Sequence, residues 1–430
     1  MTDSLLVIAD DLSGAADCAV GFTGQCLARV VIGSAVGALQ PGVTALDLDT
    51  RRLSPQQAAD AQQAVLAQPL LAACPLYKKV DSTLRGNVVS EVIALLGRGM
   101  ALVAPAFPAL GRTTRSGVQW LGEAPVSDSD VWANEGLSGS ADLLALFGAQ
   151  GVRVAGLSRS ALAQPDLPQV VRQHCTQGTQ VLVCDALYEE DLALLATASA
   201  PLWAQVFWVG SAGLARHLAL ELSLPPVTGN HRQAGLTGPV LVEPNLAGPV
   251  LTVVGSMSAH SHGQAEYLAG HTAPFRLQLS PRLLVADEAQ PQRDEWAAQL
   301  AHALANGQDA LVTLIQVGRD PAQGPALSQA LGALLKGPLA HAGCLIATGG
   351  ETARAVLSHA GVDVLELHTE LTPGVACATA CHGGRRLIVI TKAGGFGQPA
   401  TLHNAWCQVR ASEGAIAPAT ALLEKDTPHV

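Results

Sequence analysis

The stretch Leu5-Leu-Val-Ile-Ala-Asp-Asp-Leu-Ser-Gly14, continued by Ala15 to Phe22, contains the grammar of the whole chain. Five apolar residues in a row read as a buried strand, Asp10-Asp-Leu-Ser-Gly14 as a turn, and the small apolar residues after it as a helix. The same order recurs at Val206-Phe-Trp-Val-Gly210 before Ser211-Ala-Gly213 and the helical run Leu214 to Leu222. It returns at Val250-Leu-Thr-Val-Val254 before Gly255-Ser-Met-Ser258, and at Cys344-Leu-Ile-Ala-Thr348 before Gly349-Gly-Glu-Thr-Ala353. A last instance is Leu387-Ile-Val-Ile390 before Thr391-Lys-Ala-Gly-Gly-Phe-Gly397. Strands alternating with helices imply parallel sheets with crossover connections. In open sheets of this kind ligands gather at the carboxyl ends of strands, where these turns fall.

The chain has 430 residues, enough for two or three domains at roughly 100–200 residues each. Proline and glycine crowd the stretch from Leu224 to Pro249, with Pro225-Pro226, Gly238-Pro239 and Gly248-Pro249 as its clearest breakers. The expectation is an α/β fold of two α/β domains, 1–222 and 249–430, joined by a linker over 223–248. Their sheets are mainly parallel, with a ligand cleft between them. Gly122 to Gly139 reads as an irregular loop.

Composition narrows the function. Hydrophobic residues make up 49% and mean hydropathy is +0.29, so a large core is expected. Only 14% of residues are charged and the formal net charge is −10, a poor basis for binding nucleic acid by counterion release. No apolar run is long enough to span a membrane. The start Met1-Thr-Asp-Ser-Leu-Leu lacks a basic segment and a long apolar segment, so a cytoplasmic location is expected. Nine cysteines include no CxxC pair, and Cys377-Ala-Thr-Ala-Cys381-His382 has no second pair at zinc spacing, so the expectation is reduced thiols and no structural metal.

The late glycine turns suit an anion. In Gly349-Gly350-Glu351-Thr352 two glycines admit a bulky group, the following helix start offers free N–H groups, and Thr352 adds a hydroxyl. Glu351 suits a site where magnesium or a ribose hydroxyl takes its charge; a ligand-free turn is the competing explanation. Lys392, one of five lysines, ends an apolar strand against Gly394, Gly395 and Gly397, where it can neutralise a phosphate. Ser256 follows another strand with a small hydroxyl. No Walker A, GxGxxG, GxSxG or HExxH motif occurs.

The early half differs. Asp10 and Asp11 adjoin at a strand end, suited to binding substrate hydroxyls, to general base work, to metal coordination or to capping the next helix. Lys78-Lys-Val-Asp-Ser-Thr-Leu-Arg-Gly-Asn87 concentrates cations and donors suited to a carboxylate, with Lys79, Asp81 and Arg85 foremost. Pro105-Ala-Phe-Pro-Ala-Leu-Gly-Arg-Thr-Thr114 brings Arg112 in the same style.

Taken in order, several motifs resemble those of the four-carbon acid sugar kinase family. They are Ile8-Ala-Asp-Asp-Leu-Ser-Gly-Ala15, Lys79-Val-Asp-Ser-Thr-Leu-Arg-Gly-Asn87, Pro105-Ala-Phe-Pro with Gly111-Arg-Thr-Thr, and Gly210-Ser-Ala-Gly-Leu-Ala215. Val254-Gly-Ser, Gly349-Gly-Glu-Thr-Ala, Thr372-Pro-Gly and Lys392-Ala-Gly-Gly-Phe-Gly complete the set, which spans nearly the whole chain. Ala376-Cys377-Ala378 and the run from Gln398 depart from the usual pattern. The resemblance implies a sugar-acid domain followed by an ATP-binding domain. It implies ATP contacts at Ser256, Gly349, Gly350, Glu351, Thr352 and Gly394, with the substrate and catalytic side at Asp10, Asp11, Lys79, Asp81, Arg85 and Arg112.

The expected activity is an ATP- and Mg2+-dependent kinase acting on the 4-hydroxyl of a four-carbon sugar acid. D-threonate is the first choice; D-erythronate and 3-oxo-tetronate are the alternatives. Asp10, Asp11 and Asp81 are the catalytic candidates, Lys79, Arg85 and Arg112 bind the acid, and Lys392 joins the nucleotide contacts. A non-catalytic sensor of nucleotide and sugar acid is the rival from another class. The expected partners are the small-molecule substrates, with neither nucleic acid nor membrane, and homo-oligomerisation stays open.

Overall fold

Leu5-Leu-Val-Ile-Ala9 forms the strand Ser4–Ala9, fully buried from Leu5 onward, because both of its faces are covered by helices. The turn after it ends at once: Asp11 accepts from the Gly14 N–H and caps the helix Leu12–Val20. Nine residues are too few for a stable isolated helix, so this one is held by packing, with every residue but Asp17 buried. The computed structural model describes residues 3–34, 40–71, 74–226, 248–256, 258–315 and 323–414. Most of the expected linker, 227–247, lies outside the described residues.

Among the described residues the main sheet has 15 strands. On the amino-terminal side, Gly42–Asp47, Ser4–Ala9, Leu76–Lys79, Val206–Gly210, Met100–Ala104, Val181–Cys184 and Val154–Leu157 lie side by side, all parallel. On the carboxy-terminal side, Phe275–Leu279, Ala310–Leu314, Val250–Val254, Cys344–Thr348 and Arg385–Lys392 are likewise parallel. Arg385–Lys392, Val375–His382 and Val364–Thr372 then run as an antiparallel meander.

The two halves do not carry separate sheets. Val364–Thr372 pairs antiparallel with Ala28–Ile32, from Val364 opposite Val31 to Leu367 opposite Ala28. Ala28–Ile32 in turn pairs parallel with Gly42–Asp47. Each of these strands would otherwise leave a row of unpaired backbone groups at an edge, and joining them removes both edges.

A small second sheet, Arg112–Arg115, Val118–Leu121 and Ala124–Pro125, stands beside the main one. The stretch from Gly122 to Gly139 is therefore only partly irregular: it contains the last of these strands and a short helix, Asp130–Asn134. Trp132 orders it, being buried and donating from its indole N–H to the Thr83 carbonyl at 2.7 Å. One aromatic outweighs the Ser, Asp and Gly around it. No helix among the described residues is long and apolar enough to cross a membrane.

Candidate active site

Three adjacent parallel strands of the amino-terminal half, Gly42–Asp47, Ser4–Ala9 and Leu76–Lys79, end together. The residues that follow them build one charged cluster. Asp10 receives both arms of Arg51, Nε on Oδ2 at 2.8 Å and Nη2 on Oδ1 at 2.9 Å. Arg51 Nη1 reaches Asp11 Oδ2 at 2.9 Å, and its Nη2 lies 3.9 Å from Asp81 Oδ2. Arg85 donates to that Asp81 oxygen at 2.6 Å, while the other oxygen accepts from the Thr83 N–H at 2.8 Å and from the Thr83 hydroxyl. Lys79 is buried and donates to the Val80 carbonyl at 2.9 Å.

Burial alone raises a carboxyl pKa, but here the cations win. Arg51, with Lys78 and Lys79 behind it, holds Asp10 below the usual carboxylate range against the effect of burial. Burial also works against Asp81, yet Arg85, Arg51 and Lys79 hold it well below that range. Both carboxylates stay ionised through neutral pH.

Arg112 has no carboxylate within ion-pair distance among the described residues. Its Nη1 donates to the Leu110 carbonyl at 2.8 Å, and the guanidinium stacks over Phe396 at 5.0 Å. Burial pushes its pKa down, while the charges of Asp81 and Arg85 reach it through space. The Nε atoms of Arg85 and Arg112 are both buried without a hydrogen-bond partner. Buried donors are seldom left unpaired, so these two fit the oxygens of an anion.

The glycine turns of the carboxy-terminal half interlock in a second cluster. Gly349, at φ +88°, leads into the helix Gly350–His359, and its N–H donates to the Lys392 carbonyl at 2.8 Å. Gly255 lies so close to Thr352 that a Cβ there would fall 2.0 Å from its Oγ1. Ser256 Oγ donates to Ser258 Oγ at 3.1 Å, and Ser258 caps the helix Ala259–Thr272. Gly394 packs against Ser256, and its carbonyl accepts from Ser261 Oγ at 2.9 Å. The Thr348 hydroxyl is buried with no partner.

Lys392 behaves differently from the phosphate ligand its position suggested. Its ammonium donates to the carbonyls of Ala393 at 2.9 Å, Gly394 at 3.3 Å and Phe396 at 2.8 Å, which uses all three N–H groups. Burial pulls its pKa down to about 8. In this arrangement the lysine sets the shape of the glycine loop from beneath.

The two clusters come closest at Gly350. A Cβ on Gly350 would fall 2.5 Å from Asp11 Oδ2 and 3.3 Å from the Ser13 nitrogen. Around it, Arg52 pairs with Glu351, and Arg354 pairs with Asp47 and, at 3.1 Å, with Asp49. The amino-terminal ends of Leu12–Val20 and Gly350–His359 thus face the same spot, with unpaired N–H groups and the positive ends of two helix dipoles. Such a place attracts phosphate.

Asp10, Asp11, Lys79, Asp81 and Arg85 are therefore brought together, with Arg112 acting on Asp81 through space. Ser256, Gly349, Gly350, Thr352, Lys392 and Gly394 form the second group, and Glu351 sits on the seam facing Arg52. Sequence reasoning missed Arg51, the residue that ties Asp10, Asp11 and Asp81 together. Its signal was present in Val43-Thr-Ala-Leu46 before Asp47-Leu-Asp-Thr-Arg-Arg52, but Gly42 and Thr44 break the apolar run that marks the other strands.

Comparison with known proteins follows the same division. A family described as a sugar-binding N-terminal domain matches residues 5–218, and one described as a nucleotide-binding C-terminal domain matches residues 251–402. A D-threonate kinase of Cupriavidus necator is 42% identical, covering 94% of this chain and 97% of its own length. A 3-oxo-tetronate kinase of Pseudomonas savastanoi pv. phaseolicola is 30% identical over 74% of each chain. A solved structure from Salmonella typhimurium LT2 has the same fold, with a TM-score of 0.75 at 22% identity, covering 94% of this chain and 98% of that one.

Proposed function

The chain belongs to the family of four-carbon acid sugar kinases, and from that premise we propose that it transfers the γ-phosphoryl group of ATP to the 4-hydroxyl of D-threonate. The finer reading assigns residues 1–222 to the acid and 249–430 to the nucleotide. The observation that carries it is the contact of Asp11 with Gly350, where the acceptor cluster touches the glycine turns at the facing ends of two helices.

Phosphoryl transfer is chiefly positioning and charge stabilisation. The acid's carboxylate lies on the unpartnered Nε–H groups of Arg85 and Arg112, with Lys79 completing the positive surround. Asp10 and Asp81, ionised and fixed by Arg51 and Arg85, accept from the acid's inner hydroxyls. Asp11 faces the 4-hydroxyl and takes its proton as the O4–P bond forms and the bond to the ADP oxygen breaks. Its Oδ1 is held by the Gly14 N–H, leaving Oδ2, shared with Arg51, on the seam.

The turn Gly349–Thr352, with Ser256 and Gly394 beside it, cradles the triphosphate, and Lys392 keeps that loop open to it. Glu351, the carboxylate of the turn, would help hold a magnesium ion carried largely by phosphate oxygens. When bound, magnesium neutralises charge on the transferring group. The test is a kinase assay across the stereoisomers of threonate, erythronate and 3-oxo-tetronate, with the product site read by phosphorus NMR. The highest kcat/KM is expected for D-threonate, with phosphate on O4; failure of every one of these acids to release ADP would overturn the reading.

A further inference from the structure

Two arginines of the acceptor half, Arg112 and Arg216, grip the other half away from Gly350. Arg216, on the helix Ala212–Glu221, donates to Glu370 Oε1 at 2.6 Å and lies 3.8 Å from Asp17 Oδ1. The same Glu370 oxygen accepts from the Gly374 N–H at 2.8 Å, fixing the turn Thr372-Pro-Gly374. The Phe396 ring packs on Gly374, where a Cβ would come within 3.1 Å of it. Arg112 stacks on that ring. Arg112 is joined to Phe107 by two backbone hydrogen bonds, of 2.8 and 3.1 Å, and the Arg216 guanidinium lies 4.9 Å over the Phe107 ring.

These contacts close a ring: Arg216, Glu370, Gly374, Phe396, Arg112, Phe107. Three members come from each half of the chain. The Phe396 carbonyl is one of the three held by Lys392 and also accepts from Gln264 at 3.1 Å, so the ring passes through the glycine loop itself. Within it the Nε atoms of Arg112 and Arg216 are buried without hydrogen-bond partners, as is the Asp17 Oδ1 beside Arg216.

Resting on the proposed kinase reading, we propose that Phe396 and Glu370 are positioning residues through which an acid held by Arg112 sets the glycine loop for the nucleotide. An anion on Arg112 fixes the guanidinium over Phe396, and Phe396 with Glu370 fixes the loop and the turn beneath it. Such coupling is reciprocal: each substrate tightens the other by the same factor. The coupling factor is measured directly.

Calorimetric titration of a non-hydrolysable ATP analogue with magnesium is run on the full chain, with and without saturating D-threonate, and then in the reverse order. The expected factor for the unaltered chain is about fivefold to tenfold, equal in both directions. Phe396→Leu and Glu370→Gln each lose most of it while the affinity for either ligand alone stays within about twofold, and Phe396→Tyr, which keeps the ring face, restores it. A factor of one in the unaltered chain, or an undiminished factor in Phe396→Leu or Glu370→Gln, overturns the proposal. If the unaltered chain binds neither ligand alone, the kinase reading itself falls and this inference with it.

Discussion

Asp11 has three simultaneous roles: it caps a helix through Oδ1, pairs with Arg51 through Oδ2, and meets Gly350 across the seam. Asparagine preserves the cap, since its amide oxygen accepts from the Gly14 N–H as well as a carboxylate does. It cannot take a proton. Asp11→Asn is therefore expected to lower kcat by roughly 10²–10⁴-fold in steady-state kinetics, and, because its NH2 then faces the Arg51 Nη1 donor, to lower the melting temperature modestly in calorimetry. Lys392 gives a pH prediction with a definite sign. Its protonated form supplies three donors to three carbonyls, and burial lowers its pKa to about 8. Below that pH the loop is fully held; as pH rises through it, two donors remain for three acceptors. KM for ATP should accordingly climb above pH 8, and Lys392→Met should show a high KM at every pH with no inflection. The sequence exposed both residues as candidates, yet not their partners, because a side chain's partner is set by pairings across many residues that no local pattern records. Arg51 on Asp10, 41 positions away, is the clearest case.

At the scale of elements, the legible strands were those with unbroken apolar runs: Ser4–Ala9, Val206–Gly210, Val250–Val254 and Cys344–Thr348 all lie where the five-residue runs placed them. Gly42–Asp47 escaped because Thr44 interrupts it, although Thr44 is buried in the sheet. The short helix Asp130–Asn134 escaped because its order comes from a single buried tryptophan. The close approach of Leu12–Val20 to Gly350–His359 depends on a missing side chain at the first position of the second helix. Alanine there favours the helix intrinsically but places a methyl against Asp11. Gly350→Ala is expected to fold, by circular dichroism, and to lose about tenfold or more in kcat/KM, because small displacements of reacting groups are costly. Unchanged turnover would mean that phosphoryl transfer happens elsewhere.

For the whole molecule, the proline- and glycine-rich stretch and the change of motif character set the expectation of two halves. The pairing that joins the strands of both into one sheet was not legible. Edge pairing between Ala28–Ile32 and Val364–Thr372 leaves no sequence signature, since either edge accepts any strand of matching pleat. The continuous sheet, with Arg52–Glu351, Arg354–Asp47 and Arg216–Glu370 across the seam, holds the facing helix ends at a fixed spacing. Any opening of this seam therefore has to separate these ion pairs first.

The most direct measurement is a crystal structure of the chain with D-threonate and a non-hydrolysable ATP analogue. Adenosine is expected on residues 249 onward, the terminal phosphate between the amino-terminal ends of Leu12–Val20 and Gly350–His359, and O4 of the acid beside Asp11. Adenosine bound among residues 1–222, or the acid bound against the glycine turns, would contradict that placement.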